Sequence, residues 1–417
     1  MLLRYRFRIY PTAPQRAALA RGFGCARVVY NDAVAARKAA HAEGAPYPTA
    51  AALSKALITE AKRTPERSWL GEVSAVVLQQ ALADCDRAYR NFFASVKGKR
   101  RGARVGPPRF KRRMGTQAIR FTRNTRFRVL GNERLRLPKI GEVKVAWSRA
   151  LPAEPTSVTV VKTATGRYYA SFVVSLGGDE MLEPVDDETG IDLGLKDFAV
   201  LSNGKTIDNP RFFARLERKL VKAQRVLSRK VKGSANRAKA RIAVARVHEK
   251  IKDRRDDWIN QQVKTIIAEN QGIYVEDLSV RALARGRGAK SIHDAALGMF
   301  VSRLESKAAR AGRTFVKVDR FFPSTQLCSA CGVLSGPKGL QGLGAREWAC
   351  KCGAVHDRDR NAAANILREG KRVVAAGQAE TRNASGGQVR PGKPGTARNT
   401  PGRGQNEEPT RTLTTVS

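Results

Sequence analysis

Residues 328–366 read CSACGVLSGPKGLQGLGAREWACKCGAVHDRDRNAAANI, and this stretch decides how the last part of the chain folds. A C-x-x-C pair at Cys328 and Cys331 is separated by eighteen residues from a C-x-C pair at Cys350 and Cys352. Four thiolates at this spacing predict one tetrahedral zinc ion, which would close residues 328–352 into a zinc ribbon. Because such a site has no open coordination position, we expect its metal to be structural.

Two alternatives for this cluster stay open. The second pair is shorter than the usual C-x-x-C, so His356 is a candidate replacement for one thiolate, although four cysteines already complete the site and favour His356 as a polar turn residue. The other alternative is a pair of disulfides. The chain is strongly basic, begins MLLRYRFRIY without an apolar leader segment, and has only two other cysteines, Cys25 and Cys85, which favours the metal site.

The net charge predicts a polyanionic partner. The chain carries 78 Lys and Arg against 37 Asp and Glu, a formal net charge of +41. Such an excess repels itself in a compact fold unless a polyanion neutralises it, and phosphate backbones are the commonest one inside cells. Nine of the basic residues lie in 97–113 without any acid, which predicts a loop that follows phosphates. No run of eighteen apolar residues occurs, so we expect no membrane partner and a cytosolic or DNA-bound protein.

The first half of the chain predicts an antiparallel β-barrel or sandwich with helices inserted into it. Residues 2–10 alternate between apolar and basic side chains, as a half-buried strand does, and six short alternating segments follow between 119 and 174. Between them, apolar residues recur at helical spacing over 15–42, 50–62 and 74–96. We therefore assign the barrel to 1–10 and 97–178, and the helical insert to 15–96.

The second half predicts an α/β domain over 186–327 and 353–370, interrupted by the ribbon. Its apolar runs at 190–195 and 272–279 are candidate buried strands, and two long helical patterns between them predict an antiparallel helical hairpin. A helix over about 293–312 and a strand over 314–318 are predicted before the ribbon. Residues 371–417 are rich in Gly, Pro, Asn and Thr and cannot bury a core, which predicts a disordered tail. The fold class is therefore multidomain α+β.

Three acids stand on three of these elements. Asp192 interrupts an apolar strand, where a carboxylate is costly to bury, Glu276 ends a later strand, and Asp359 begins the last helix. This order is the one in which an RNase H-like sheet gathers carboxylates around two magnesium ions. Such ions activate a water molecule and stabilise the leaving 3′ oxygen of a phosphodiester, so we predict that the three acids are magnesium ligands and catalytic residues.

Neighbouring acids compete for the same roles. Asp357 lies two residues before Asp359, and since the two side chains point apart in an extended turn, only one can face the metals; we choose Asp359 because it leads into the helix. We expect Asp197 to lie at the surface, and Glu269 and Asp277 to be bystanders.

Several motifs together carry a family resemblance. GIDLGLKDFAV, VEDLSV, the C-x-x-C pair and CGAVHDRDRNAAANI, with YRFRIYPTAPQRAAL and GCARVVYND near the start, resemble the TnpB (OrfB) proteins of bacterial insertion sequences, relatives of the type V CRISPR effectors. The likeness runs from the first strand to about Gly370. It departs from the pattern at the shortened pair Cys350 and Cys352.

The resemblance implies an RNA-guided DNA endonuclease. Its parts would be a split RuvC nuclease domain holding Asp192, Glu276 and Asp359, a wedge barrel and a helical recognition insert. Its partners would be a guide RNA from the element's own end and double-stranded target DNA with a short flanking motif. We expect a monomer with its RNA, in the bacterial cytoplasm and on the nucleoid.

Three other functions remain. One is a guide-dependent DNA-binding repressor without cleavage, which would need a broken set of acids. Another is a transposase that performs strand transfer with the same metal site. The third, a zinc-ribbon nucleic-acid-binding protein with purely structural acids, leaves Asp192 unexplained.

Overall fold

The computed structural model describes residues 2–100, 102–175, 177, 181–286, 288–338 and 341–383. Two large sheets, the helices packed on them and a small hairpin make up this part of the chain. None of its helices has the length and apolar character needed to cross a lipid bilayer.

The first sheet has seven antiparallel strands in the order β2-β6-β7-β1-β5-β4-β3. Strand β1 lies inside it, paired with β7 on one side and β5 on the other, which confirms that the first segment of the chain completes this sheet. Its strands are β1 (Leu2–Tyr10), β2 (Gln117–Thr122), β3 (Arg128–Val129), β4 (Arg134–Leu137), β5 (Gly141–Ala146), β6 (Pro155–Lys162) and β7 (Tyr168–Ser175).

The barrel predicted for these strands is present only in part. In the described residues β2 and β3 form the two edges of the sheet and do not pair with each other, so the sheet is a curled half-barrel. Strand β3 is only two residues long and therefore offers almost no ladder on which β2 could close.

Helices α1 (Ala13–Ala42) and α3 (Ala75–Val96) cover the half-barrel, and α2 (Ala50–Ser54) packs on these two helices. Side chains of α1 and α3, including Phe23 and Val77, share one core with Phe121 and Phe172 of the strands. The single helix predicted over 50–62 is instead α2 followed by a π-helical turn, Lys55–Glu60, and a 3₁₀ turn. Leu53 and Ile58 are both buried, and a π-turn brings residues five apart to the same face.

The second sheet has five strands in the order β10-β9-β8-β11-β12. Strands β8, β11 and β12 are parallel, so their carboxyl ends lie at the same edge, whereas β9 and β10 are antiparallel additions. The sequence predicted β8, β11 and β12 but missed the other two. The strands are β8 (Glu188–Leu193), β9 (Asp197–Leu201), β10 (Thr206–Asp208), β11 (Gly272–Glu276) and β12 (Thr314–Val318).

Helices cover both faces of this sheet. One face packs on α5 and α8 through Ile259, Val263 and Phe300, and the other packs on α9, where Ile366 meets Tyr274 and Val318. The predicted hairpin of α4 and α5 is confirmed. The helices are α4 (Phe212–Ser228), α5 (Ala235–Glu269), α6 (Val280–Leu283), α7 (Ala289–Ala295), α8 (Leu297–Arg310) and α9 (Arg358–Asn383).

Two further expectations change. The helix predicted over 293–312 is divided into α7 and α8 by Ala296, whose φ of 57° is left-handed and ends the first helix. The tail predicted from residue 371 is wrong for 371–383, which continue α9. Val374 packs beside Tyr274, and Lys371 forms an ion pair with Glu188, so this turn of the helix gains contacts that composition alone does not show. Residues 384–417 lie outside the described residues.

Helix α9 crosses the sheet unusually closely, at two glycines. A Cβ atom on Gly190 of β8 would stand 2.1 Å from the Ala363 carbonyl oxygen and 2.5 Å from the Leu367 nitrogen. One on Gly370 would stand 2.1 Å from the Tyr274 ring. Only glycine fits where two backbones approach so closely, and this contact fixes the first turn of α9 relative to the end of β8.

We predict that Gly190→Ala lowers the free energy of unfolding by about 3 kcal/mol or more, because the added methyl group meets main-chain atoms that cannot rotate away. Urea unfolding followed by circular dichroism measures this. Gly24→Ala in α1 is the matched control: nothing lies within 4 Å of its added Cβ, so it should be neutral or slightly stabilising. Equal stability of the two variants would contradict the close contact.

Candidate active site and metal centre

The four cysteines form a tetrahedral cluster. The sulfur atoms of Cys328 and Cys352 are 3.7 Å apart, and those of Cys331 and Cys350 are 3.6 Å apart. Four sulfurs that each lie about 2.3 Å from one zinc stand about 3.8 Å from one another, so these distances match a zinc site. The cluster could therefore hold a zinc ion, as the spacing predicted. It is built on the turn at residues 328–331 and on a hairpin of β13 (Glu347–Ala349) and β14 (Val355–Asp357).

His356 has a closer relation to the cluster than the sequence predicted. It lies in β14 rather than in a turn, and its Nε2 atom is 3.0 Å from the Cys328 sulfur. Its ring packs on Trp348 at a centroid distance of 4.7 Å. The hydroxyl of Ser335 is likewise 3.0 Å from the Cys350 sulfur. Both side chains can hydrogen-bond to thiolates and orient them, which is the usual role of groups that surround metal ligands.

The ribbon is fastened to helix α9. Asn361 and Asn365 are both buried, and their side-chain amides donate to the carbonyl oxygens of Ser324 and Leu327. The backbone N–H of Ser329 donates in turn to Asn361 Oδ1 at 2.9 Å. A metal that holds the ribbon therefore also holds the start of α9, where Asp359 lies.

The two acids at this helix start have different surroundings. Asp357 Oδ1 accepts hydrogen bonds from the backbone N–H groups of Asp359 and Arg360, at 3.1 and 2.8 Å. Asp357 is thus the N-cap of α9, where a carboxylate satisfies otherwise unpaired donors and favours the helix dipole. Asp359 is the second residue of α9 and lines a cavity together with Asp192. This geometry favours the choice of Asp359 over Asp357.

Asp192 is the most perturbed of the three predicted site acids. It lies on β8, one residue before the strand ends, and Glu276 is the last residue of the neighbouring parallel strand β11. Burial raises the pKa of Asp192 to about 7, and the negative charges of Asp359 and Glu276 add to the shift. Burial, and then the charge of Asp277, also raises the pKa of Glu276. The three carboxyl groups therefore interact across one edge of the sheet.

Asp359 is held by two arginines that the sequence analysis missed. Arg346, just before β13, lies 2.8 Å from Asp359 Oδ2, and Arg358 lies 3.0 Å from Oδ1. No motif or spacing in the sequence distinguishes these two arginines from the rest of the 78 Lys and Arg residues. In the described residues, the four cysteines are the one group of three or more ligand-type side chains with all donor atoms within 4.8 Å, so the three carboxylates surround a wider opening.

A cavity of about 490 Å³ opens at this edge. Asp192 and Asp359 line it, and Arg346 and Arg358 bring positive charge beside them. Asp197 also lines the cavity and is half-buried, so the expectation that it lies at the surface is wrong. The other two bystanders form ion pairs, Glu269 with Lys205 and Asp277 with Arg320.

Cys331→Ser should abolish stoichiometric zinc binding, because it removes one of four ligands, and should lower the melting temperature. Elemental analysis of the purified protein measures one zinc per chain falling to near zero. Cys25→Ala, which removes a buried thiol of α1, is the control and should keep the zinc.

His356→Ala should keep the zinc but weaken the affinity of the protein for it about 10- to 100-fold in a chelator competition. Complete loss of zinc would make His356 a ligand.

Asp192→Asn should stabilise the protein when no magnesium is added. Because the folded-state pKa is raised to about 7 from 3.8, wild-type stability is lost as pH rises through this window, and the amide removes that loss. The gain in unfolding free energy should be larger at pH 8 than at pH 5 by about 2 kcal/mol. Urea unfolding at both pH values tests this, with Asp208→Asn, an exposed acid of β10, as the control. A gain that does not change with pH would show that the folded protein does not raise the pKa of Asp192.

Three family models match the chain. A model described as "Probable transposase" matches residues 171–287, one described as "Cas12f1-like, TNB domain" matches 298–366, and one described as "Helix-turn-helix domain" matches 1–45. Residues 2–45 contain one strand and one long helix here, β1 and α1.

Two relatives with curated names match most of the chain. A "Putative RNA-guided DNA endonuclease" of Streptomyces pristinaespiralis is 43% identical over 380 residues, 89% of this chain and 90% of the relative. A "Putative RNA-guided DNA endonuclease InsQ" of Escherichia coli K12 is 29% identical, covering 90% and 94%.

A chain of the "Cas12f1-sgRNA-target DNA complex", solved by cryo-EM, has a TM-score of 0.52 at 14% identity and covers 85% of this chain and 83% of its own. The mixed α+β fold is therefore similar to that of Cas12f1. The identity with the Streptomyces protein extends over nearly the whole of both chains, and this protein belongs to the TnpB (OrfB) family of insertion-sequence proteins.

Proposed function

We propose that this chain is an RNA-guided DNA endonuclease of a transposable element, which cleaves phosphodiester bonds at a RuvC-type carboxylate site. The observation that carries the proposal is the meeting of three acids from β8, β11 and α9 at one sheet edge, where Asp359 and Glu276 help to raise the pKa of Asp192. The names of the two relatives support the guided activity, and the likeness to Cas12f1 supports the fold that it needs.

The two sheets support the following domain assignment. The half-barrel, 1–10 and 97–178, is the wedge, and the helices within 15–96 are the recognition insert. The second sheet, with 186–327 and 353–370, is an RNase H-like nuclease domain, an assignment supported by its three parallel strands beside an antiparallel pair. The ribbon, 328–352, is inserted before its last helix.

The carboxylates fit divalent cations. Asp192, Glu276 and Asp359 offer only oxygen ligands, the donors that magnesium prefers, and their mutual repulsion is relieved by a cation. Two magnesium ions bound there would activate the attacking water and stabilise the leaving 3′ oxygen. We assign zinc, held by Cys328, Cys331, Cys350 and Cys352, a structural role.

The remaining steps belong to the chain itself. Asp192 must lose the proton that its raised pKa lets it keep near neutral pH before it can bind a cation. Arg346 and Arg358 carry positive charge into the cavity and can orient a phosphate that enters it. Glu276 ends β11, which pairs with β8 on one side and β12 on the other, so the backbone that carries its side chain is held in the sheet.

The partners follow from charge and family. A guide RNA from the element's end would neutralise much of the net charge of +41, and base pairing would select a double-stranded DNA target. A short flanking motif in the duplex would be read by the wedge and the recognition insert. We place the protein in the bacterial cytoplasm and on the nucleoid, as a monomer with its RNA.

Asp192→Ala, Glu276→Ala and Asp359→Ala should each reduce magnesium-dependent cleavage about a thousandfold or more, because each removes a metal ligand. The assay uses protein co-purified with its RNA and a plasmid that carries the matching target. Glu269→Gln and Asp357→Asn are matched controls: the first acid lies outside the site, and asparagine also caps helices, so both should cleave normally.

The other possible outcomes of this assay would change either the site assignment or the function. Full cleavage by any of the three alanine variants would remove that residue from the site. Bound RNA without cleavage by the wild type would establish the repressor. Joining of element ends without bound RNA would establish the transposase, whose strand transfer the same carboxylates could support.

A further inference from the structure

Phe321 is the most exposed large apolar side chain among those the structure describes as exposed, at 86%. It lies between β12 and the zinc ribbon. Single exposed apolar residues are common on proteins, so exposure alone carries no conclusion. Two further observations, the rigidity of its loop and the position of that loop, make this ring different.

The loop that carries Phe321 is fixed on both sides. Asp319 accepts two hydrogen bonds, from Phe321 N to its side chain at 2.8 Å and from Phe322 N to its carbonyl oxygen at 3.0 Å. Phe322 packs into the cluster of Tyr274, Val318 and Ile366. Because the neighbouring Phe322 is partly buried against that cluster and the backbone is held by hydrogen bonds, the turn presents the Phe321 ring outward.

The turn stands beside the candidate active site. Val318, the last residue of β12, is the register partner of Glu276, and its carbonyl oxygen accepts from the Asp277 N–H at 2.9 Å. Phe321 follows Val318 by three residues, which limits the separation along the chain to about 10 Å. Arg320, next to Phe321, forms an ion pair with Asp277. An aromatic ring and a guanidinium group are thus placed together beside the carboxylates.

We propose that Phe321 is a stacking subsite for an unpaired base of the DNA strand that enters the active site, with Arg320 beside the strand's phosphates. This inference rests on the proposed function. Rigid aromatic rings beside basic groups bind single strands in this way, because every base has a stacking face and every linkage a negative charge.

The experiment places 2-aminopurine, whose fluorescence is quenched by stacking, at successive positions around the cut site of the target DNA. The guide complex carries Asp192→Asn so that the strand stays intact. We expect one position to be quenched, and Phe321→Ala to restore its emission several-fold. Phe321→Trp should keep the quenching, whereas Phe321→Leu, apolar but not aromatic, should lose it. In the cleaving protein, Phe321→Ala should slow single-turnover cleavage about 10- to 100-fold.

Val231→Ala is the matched control, since it removes a side chain that is 76% exposed at the turn between α4 and α5; it should change neither signal. If the 2-aminopurine emission at every DNA position is the same with Phe321 as with Phe321→Ala, the inference is overturned. Cleavage by the wild type would in that case leave the proposed function standing. A cleavage defect without any change in emission would also overturn it, and would assign the ring to a protein contact. Failure of the wild type to cleave would instead refute the proposed function.

Discussion

The backbone contact between α9 and β8 is the constraint on which the rest of the second domain depends. Asp192 is buried and lies near two other carboxylates, and its raised pKa reflects first the burial and then the repulsion by Asp359 and Glu276. The three carboxylates stay together because α9 lies so close to the sheet that Gly190 has no room for a side chain, and because Ile366 packs against Tyr274 behind it. Apolar packing therefore balances the electrostatic strain of the site.

The zinc ribbon further fixes the position of the start of α9, where Asp359 lies. Asn361 and Asn365 bind the backbone that leads into the ribbon, so the cysteine cluster and Asp359 belong to one rigid unit. Arg346 comes from the ribbon hairpin and reaches the same carboxylate. The thiolates and the carboxylates thus suit different metals: a zinc ion bound by the soft thiolates would stabilise the fold, and the hard carboxylates would hold the magnesium ions of the proposed reaction.

Sequence alone predicted the features that have a chemical cost or a fixed spacing. Asp192 was found because a carboxylate interrupts an apolar strand, and the cysteines because of their spacing. Features that arise from long-range contact were missed: no local signal distinguishes Arg346 and Arg358, and α9 continues past residue 371, where Lys371 pairs with Glu188 of the sheet. His356 was a candidate from the sequence, but its 3.0 Å distance to the Cys328 sulfur arises only when the hairpin forms. The half-barrel stays open because of one short strand, which alternation does not reveal.

The charges around Asp359 connect the fold to the excess of basic residues. A net charge of +41 explains an affinity for nucleic acid but not where a phosphate would react. That position is defined only where acids and arginines meet, at Asp192, Asp359, Arg346 and Arg358. In the free protein the two arginines balance the charge of Asp359. A cation that binds the carboxylates would take over that balance, and the same guanidinium groups would then be available to a phosphate.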